Sequence, residues 1–238
     1  MLTPESIKKV EESTLADGLK LISEWFPGKV VFSSSLGQED QVLTDVIFKN
    51  SLPITIFTID TGRLFNETYE LLDRTNARYK KNIQVYFPEA TDVEEFVTNK
   101  GINSFYESVD NRKECCHIRK VKPLNRALKG AEVWITGLRA EQSNNRHDMP
   151  MIEWSEEKKL YKFNPLIRWT YAEMMDYISK FNVPYNRLHD KGFISIGCAP
   201  CTRAIEPGED ARAGRWWWET SQKECGLHET KIVPSNPV

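Results

Sequence analysis

Short apolar runs alternate with longer amphipathic stretches through most of the chain. The apolar runs lie at residues 29–32, 52–59, 83–87 and 133–136. The helical patterns lie at residues 4 to about 25, 66–79, 93–99 and 171 to about 181. Strands that alternate with helices predict an α/β fold, with a mostly parallel twisted sheet and helices on both faces.

Two helix starts carry capping signals. Thr3 precedes Pro4, which suits an N-cap followed by proline in the first turn. Thr170 stands three residues before Glu173, which is the spacing of a capping box at the start of a helix. From Gly192 onward the periodic pattern weakens, so we expect an irregular C-terminal segment.

Polar loops follow three of the predicted strands. They are Ser33–Asp40, Asp60–Arg63 and Gly137–Glu141. Because parallel sheets bind ligands at the carboxyl ends of their strands, we expect these loops to form one pocket. The first loop is rich in serine and opens a helix, where backbone amides and the helix dipole favour phosphate. A plain serine-rich turn is the alternative, since the loop has neither a Walker A nor a Rossmann glycine pattern.

Size and charge exclude several classes of protein. The chain has 238 residues, enough for one large α/β domain, and its hydrophobic and charged fractions are an ordinary 40% and 28%. The formal net charge is −2, so no global charge favours nucleic acid or a membrane surface. The N-terminus has no apolar signal core and no apolar run is long enough to span a bilayer, so we expect a cytoplasmic protein.

The five cysteines fall into a group of four and one that stands apart. Cys115 and Cys116 are adjacent, Cys198 and Cys201 form a C-x-x-C pair, and Cys225 lies near the C-terminus. In a reducing compartment such a group favours metal ligands or redox catalysts over disulfides. Zinc sites generally use C-x₂₋₄-C pairs, whereas side chains of adjacent helical residues diverge by roughly 100°. The adjacency therefore favours a [4Fe–4S] cluster, with zinc or buried structural thiols as alternatives.

Basic neighbours of the cysteines are candidates for a role in substrate binding or catalysis. Lys120 lies four residues after Cys116, on the same face of a helix, where a cation can neutralise cluster charge or reach an anionic substrate. Cys225 precedes Gly226 and lies three residues before His228, which can lower the pKa of a nucleophilic thiol. The alternatives are a solvated lysine and an incidental surface thiol.

Arginines are abundant in the later part of the chain, at positions 139, 146, 203, 212 and 215. Planar guanidinium groups suit bidentate recognition of phosphate and sulfate. Arg212 and Arg215 either line the anion end of a pocket or lie in an exposed loop of mixed charge. The run Trp216–Trp218 cannot place all its rings on one face, so we expect it to anchor the C-terminal segment.

Several short motifs follow one another in a specific order. They are Ser33–Asp40, Asp60-Thr61-Gly62-Arg63, Lys113-Glu114-Cys115-Cys116 with Lys120, Gly137-Leu138-Arg139, Gly197-Cys198-x-x-Cys201, Arg212-x-x-Arg215-Trp216-Trp217-Trp218-Glu219 and Glu224-Cys225-Gly226-Leu227-His228. In this order the chain resembles the assimilatory sulfonucleotide reductases, over most of its length. It is most similar to the iron–sulfur adenosine 5′-phosphosulfate (adenylylsulfate) reductases.

The resemblance implies an architecture as well as a family. It implies the PP-loop fold of the adenine nucleotide alpha hydrolases, in a single sulfonucleotide reductase domain over residues 1–238. Residues 219–238 would form a mobile C-terminal segment that carries Cys225. A homo-oligomer is compatible with the sequence.

The activity implied by the resemblance is reduction of adenosine 5′-phosphosulfate to sulfite and AMP in sulfate assimilation and cysteine biosynthesis. Such an oxidoreductase uses the Cys225 thiolate to attack the sulfate sulfur, and forms an S-sulfocysteine. Thioredoxin or a similar dithiol then releases sulfite. The implied cofactor is a [4Fe–4S] cluster that organises the site without carrying the electrons, and its ligands are Cys115, Cys116, Cys198 and Cys201. The implied substrate-binding residues are Ser33, Ser34, Ser35, Gly37, Asp60, Thr61, Lys120, Gly137, Arg139, Arg212, Arg215 and His228.

Other functions stay open at this point. The related 3′-phosphoadenosine 5′-phosphosulfate reductases lack the cluster cysteines, but some cluster-bearing members accept both nucleotides. An ATP pyrophosphatase of the same ancestry would carry a Ser-Gly-Gly-x-Asp-Ser loop, where this chain has Ser34-Ser35-Leu36-Gly37-Gln38-Glu39-Asp40. A non-enzymatic zinc module would explain the grouped cysteines, but not Cys225, the serine loop and the arginines together.

Overall fold

The computed structural model describes residues 2–142, 146 and 148–219. Its helices are α1 (Pro4–Glu11), α2 (Leu15–Trp25), α3 (Gln38–Lys49), α4 (Asn66–Tyr79), α5 (Ala90–Lys100), α6 (Val109–Cys116), α7 (Lys122–Ala127) and α8 (Tyr171–Phe181). Its strands are β1 (Val30–Ser33), β2 (Thr55–Ile59), β3 (Gln84–Tyr86), β4 (Val133–Ile135), β5 (Ile152–Ser155) and β6 (Leu160–Phe163). Cys225 and His228 lie outside the described residues, as does the predicted C-terminal segment apart from Glu219.

The strands of the described residues form one six-stranded sheet in the order β3-β2-β1-β4-β6-β5. Neighbouring strands are parallel, except that β5 pairs antiparallel with β6 at one edge. None of the helices in this part of the chain is long and apolar enough to cross a membrane. The predicted mostly parallel α/β sheet is therefore confirmed.

Helices cover both faces of the sheet. Ile56 and Val133 belong to the larger core cluster, which includes residues of α2, α3, α4 and α8. Their neighbours Phe57 and Trp134 belong to a second cluster, with Leu124 of α7. Because successive strand residues point to opposite faces, the two clusters lie on opposite sides of the sheet.

The expectation of one helix from residue 4 to about 25 is wrong. Helix α1 ends at Glu11, and Thr14 begins α2 by accepting a hydrogen bond from the Asp17 amide at 3.2 Å. A threonine oxygen at this point satisfies one of the amides that lack a partner at a helix start. The amphipathic pattern continues through the break, which is why it suggested a single helix.

The helix start at Thr170 is confirmed, and the β5–β6 hairpin is an addition. The Thr170 hydroxyl accepts from the Glu173 amide at 3.2 Å, and the Glu173 carboxylate accepts from the Thr170 amide at 2.7 Å.

The β5–β6 hairpin was not predicted, because charged residues interrupt its apolar pattern. Lys162 is buried in β6 and its ammonium lies 3.2 Å from the Glu153 carboxylate in β5.

Candidate functional site: a strand-end pocket beside a cysteine cavity

A cavity of about 260 Å³ lies where the parallel strands end, and we call it the strand-end pocket. Strands β1, β2 and β4 end at neighbouring points of the sheet, and the loops that follow them line the cavity. Ser33, Ser34, Ser35, Thr61 and Gly137 come from these loops. The prediction that the three loops form one pocket is confirmed.

The serine loop is held in shape by Asp40. The Ser35 amide and hydroxyl donate to one Asp40 carboxylate oxygen at 2.5 and 2.7 Å. Burial raises the pKa of Asp40 to about 7, even though these two hydrogen bonds lower it. The β4 loop also approaches closely, since a Cβ on Gly137 would lie 2.0 Å from the carboxylate. A glycine is therefore required there for the two loops to meet.

Cations line the same pocket. Lys120, Arg146, Arg212 and Arg215 all contribute to its wall. The Arg215 Nε is buried and has no hydrogen-bond partner among the described residues. Its guanidinium lies against Gly197, where an added Cβ would come within 2.3 Å of Nη2. The pocket thus presents a buried guanidinium donor of the kind that binds phosphate or sulfate.

Asp60 belongs to the turn that follows β2 and does not line the pocket. Its carboxylate accepts hydrogen bonds from the Gly62 amide at 2.7 Å and from the Tyr69 hydroxyl at 2.9 Å. Gly62 has φ of 72°, in the left-handed region that glycine adopts readily. Asp60 therefore stabilises the turn that contains Thr61, and Thr61 lines the pocket.

Arg139 and Gly37 also lie outside the lining of the strand-end pocket. The Arg139 guanidinium is buried and lies 2.8 Å from each of the Glu39 and Glu141 carboxylates. Gly37 precedes α3, and its amide donates to the Ser35 hydroxyl at 3.3 Å. These residues shape the loops around the pocket. His228 lies outside the described residues, so its predicted role stays a prediction.

A second, much smaller cavity of about 10 Å³ is lined by four cysteines, and we call it the cysteine cavity. Cys115 and Cys116 end α6, whereas Cys198 precedes a short 3₁₀ turn, Ala199–Cys201, that Cys201 ends. The four pack in one cluster with the buried rings of Phe105 and Trp216. Two cysteine pairs that are distant in the sequence therefore meet in the fold, as their grouping predicts.

The cysteine thiols differ in their electrostatics. Burial raises the pKa of Cys198, but the Lys120 cation and a 3.2 Å hydrogen bond with Thr61 outweigh it, so the pKa lies below its usual value. Burial raises the pKa of Cys201 to about 12, with a further contribution from the Cys198 charge. Burial also raises the pKa of Cys115. A thiolate is therefore favoured first at Cys198, next to the strand-end pocket.

Basic side chains surround the cysteine cavity, and the sequence interpretation placed only Lys120 beside the thiols. Lys120 is joined by Arg63, Arg112 and Arg119. Arg119 is buried and donates to the Thr61 carbonyl at 2.7 Å. Arg112 and Arg119 lie four residues before and three residues after Cys116, so helical spacing was the signal that could have found them.

Lys120 lies between the two cavities and lines both, together with Cys198 and Trp216. The prediction placed Lys120 one α-helical turn after Cys116. The stretch His117–Val121 is instead a π-helix, whose wider turn changes that spacing. Lys120 belongs to this wide turn and lies at the boundary between the pocket and the thiols.

Within the part of the chain that the structure describes, no three His, Cys, Asp or Glu side chains are arranged to hold a single metal ion. The four thiols line one cavity without converging on a common point.

Comparison with known proteins identifies the family. The profile of the phosphoadenosine phosphosulfate reductase domain matches residues 29–204. The chain belongs to this family. An adenosine 5′-phosphosulfate reductase of Burkholderia cepacia is 50% identical to it, over 98% of this chain and 92% of that protein. One from Rhizobium meliloti is 51% identical, over 95% of this chain and 86% of that protein. The predicted family is thus confirmed.

Solved structures agree with the family assignment. The phosphoadenylyl-sulfate reductase of Candida auris, in a phosphate complex, aligns with a TM-score of 0.72 and 30% identity. The match covers 86% of this chain and 98% of that one. The FMN adenylyltransferase of Candida glabrata aligns with a TM-score of 0.56 and 15% identity, over 98% of this chain and 78% of that one. At that identity the likeness concerns the fold alone, which is the mostly parallel α/β sheet described above.

Proposed function

We propose that this chain reduces adenosine 5′-phosphosulfate to sulfite and AMP, with electrons from thioredoxin or a similar dithiol. Relatives with about 50% identity over nearly the whole chain carry the name of that reductase. The observation that carries the proposal is the wall of Lys120, Cys198 and Trp216 common to both cavities. Because of this common wall, a pocket suited to an anionic nucleotide lies next to a group of thiols.

The strand-end pocket supplies the groups that a phosphosulfate needs. Lys120, Arg212 and Arg215 contribute cations to its wall. The serine loop contributes hydroxyls and leads into the N-terminus of α3, which favours negative charge. In our proposal the phosphosulfate lies against the cations and the adenosine lies along the strand ends.

The proposed nucleophile is the thiolate of Cys225, six residues beyond Glu219. Its electron pair forms an S–S bond to the sulfate sulfur, while the S–O bond to the AMP phosphate breaks. AMP leaves with the electrons of that bond, and the arginines stabilise the charge that grows on its phosphate oxygen. An S-sulfocysteine remains on Cys225, and His228 is the proposed neighbour that favours the thiolate.

A dithiol reductant completes the proposed reaction. One of its thiolates attacks the Cys225 sulfur, and sulfite leaves with the electrons of the S–S bond. The second thiolate of the reductant then resolves the mixed disulfide, so Cys225 returns as a thiolate. Both electrons that reduce the sulfur come from the dithiol, which leaves as a disulfide.

We also propose that the cysteine cavity holds a [4Fe–4S] cluster on Cys115, Cys116, Cys198 and Cys201. Thiolates are the usual ligands of such clusters, and the basic side chains around them would balance the negative charge. The fit rests on the donor set, because the cavity itself is small. When bound, the cluster would hold the two cysteine pairs together and fix a negative charge next to Lys120. Zinc is the alternative metal for the same thiol ligands.

The nucleotide with a 3′-phosphate is the second candidate substrate. The solved reductase of Candida auris, 30% identical to this chain, carries the name of that nucleotide. Relatives with about 50% identity carry the name of the nucleotide without the 3′-phosphate, so we place that one first. Membership in the reductase family argues against an ATP pyrophosphatase and against a non-enzymatic zinc module.

Sulfite production with each nucleotide in turn tests the proposal directly. The purified protein, prepared without oxygen and supplied with thioredoxin, should form sulfite faster from adenosine 5′-phosphosulfate than from its 3′-phosphorylated form. Equal rates would overturn the preference, and no sulfite from either would overturn the proposed function.

The substitution Cys225→Ser tests the nucleophile. A serine hydroxyl is a far weaker nucleophile at neutral pH than a cysteine thiolate, so sulfite release should stop. Bound iron and nucleotide affinity should be unchanged. Labelled sulfite from the variant would place the nucleophile elsewhere.

A further inference from the structure

A deeply buried ion pair among the described residues joins Arg112 of α6 to Glu219. The Arg112 guanidinium donates to both oxygens of the Glu219 carboxylate, from Nε at 2.9 Å and from Nη2 at 2.8 Å. Their side chains are only 1% and 3% exposed. Such a two-point pair fixes the direction of a side chain as well as its position.

Arg112 also contacts the wall between the two cavities. Its guanidinium lies 4.7 Å from the Trp216 ring centroid and interacts with the Cys116 thiol. The Arg215 guanidinium, which lines the strand-end pocket, lies 4.7 Å from the same ring. The backbone turns back at this point, because the Glu219 amide donates to the Trp216 carbonyl at 2.9 Å. Glu219, from which the chain continues toward Cys225, is therefore linked through Arg112 and Trp216 to Cys116 and Arg215.

From Glu219 the chain has a short distance to cover. Cys225 is six residues further on, so an extended backbone reaches at most roughly 20 Å from Glu219. An anchor at Glu219 therefore fixes the point from which this six-residue connection to Cys225 begins.

We infer that the Arg112–Glu219 pair positions the Cys225 segment for its attack on the nucleotide. This inference rests on the proposed function, because it presumes that Cys225 is the nucleophile. Neither residue lines the strand-end pocket, so the proposed role of both is to place Cys225. A misplacement of about 1 Å can slow a reaction by roughly 100-fold, so an anchor near the nucleophile is a sensitive point.

The test is Glu219→Gln, which keeps the shape of the side chain and removes its charge. The measured quantity is the single-turnover rate at which Cys225 acquires a sulfo group from adenosine 5′-phosphosulfate, followed by intact mass without reductant. We expect that rate to fall at least roughly tenfold. The dissociation constant for AMP and the bound iron should stay within about twofold of the wild type, a difference equivalent to under one half kcal/mol. Glu219→Asp keeps the charge and should restore part of the rate.

Glu209→Gln is the matched control. Glu209 forms a similar two-point pair with Arg203, at 2.9 and 2.8 Å, in the preceding loop, but that pair is partly exposed. The control should leave the sulfonation rate unchanged.

Two results would overturn the inference. One is an unchanged sulfonation rate in Glu219→Gln. The other is a fall that is matched by loss of iron or of AMP affinity, which would assign the pair a purely structural role. A wild-type protein that never forms the adduct on Cys225 would instead overturn the proposed function.

Discussion

The strand-end pocket and the cysteine cavity have a common wall, but different interactions build them. The pocket holds about 260 Å³ and is lined by hydroxyls, loop backbone and arginines. The cavity holds about 10 Å³ and is lined by thiols, rings and four basic side chains. In our proposal the pocket receives the anionic nucleotide, which enters and leaves, and the cavity holds the cluster, which stays bound. Lys120 lines both, and its charge lowers the pKa of Cys198.

The two regions differ in the chemistry of their linings rather than in how far apart their parts lie in the sequence. Gly137 meets Asp40 in the pocket, and Cys198 contacts Thr61, 137 residues away, where the pocket meets the cavity. The pocket presents hydroxyls and cations, whereas the cavity presents thiols. We therefore expect substitutions of the cavity thiols to affect bound iron and substitutions in the pocket to affect nucleotide affinity.

The largest predicted effect is that of Cys201→Ser. Loss of one thiolate from the proposed cluster should abolish both bound iron and sulfite formation, because a serine hydroxyl is a poor ligand for iron. AMP binding should fall much less, since the strand-end pocket does not include Cys201. Iron analysis, visible absorbance and AMP titration measure the three quantities.

Cys225→Ser is the matched control for that experiment, because it makes the same exchange at the proposed nucleophile and not at a proposed cluster ligand. It should keep the iron. A colourless wild-type protein with stoichiometric zinc would remove the cluster from the comparison, and retained iron in Cys201→Ser would show that this thiol is not a ligand.

An intermediate effect is predicted for Arg215→Lys in the strand-end pocket. The lysine keeps the charge but lacks the planar group with several donors, and one lost charge-assisted hydrogen bond is worth about 1.5–3 kcal/mol. The dissociation constant for AMP should therefore rise roughly 10- to 100-fold, with bound iron unchanged. Arg203→Lys is the control, since Arg203 pairs with Glu209 outside the pocket. Equal affinities in wild type and Arg215→Lys would exclude Arg215 from nucleotide binding.

The smallest effect is a pH dependence of stability that originates at Asp40. Burial raises the pKa of Asp40 from 3.8 to about 7, so the folded state holds its proton more tightly than the unfolded state. The stabilisation that this pKa shift gives to the folded state is complete below about pH 4. It is lost as the pH rises through about 7, and the loss in unfolding free energy is a few kcal/mol at most. Asp40→Asn should remove that part of the pH dependence.

Urea unfolding at about pH 5.5 and about pH 8 measures the difference for Asp40. The wild type should lose more unfolding free energy across this interval than Asp40→Asn does. Asp73→Asn removes a carboxylate from the exposed face of α4 and serves as the control. Equal losses in all three proteins would contradict the raised pKa.

Local patterns determined much of this molecule from the sequence alone. Alternating apolar runs predicted the parallel sheet, and α4 has the bounds that its pattern indicated, Asn66–Tyr79. The capping box at Thr170 and Glu173 fixed the start of α8. The cysteine pairs and strand-end loops could be named before the fold, since each has a short and distinctive signature. These features depend on interactions between residues that are close in the chain.

Tertiary packing decided the rest. Arg139 pairs with Glu39, 100 residues away, and so lies outside the pocket that its motif suggested. Arg112 meets Glu219 across 107 residues, and nothing in either local sequence indicates that partner. An arginine near a strand end can face an anion or a carboxylate, and only the packing of distant elements places one of them within reach. The sequence therefore determined which elements and reactive groups exist, whereas the tertiary structure determined which charges meet.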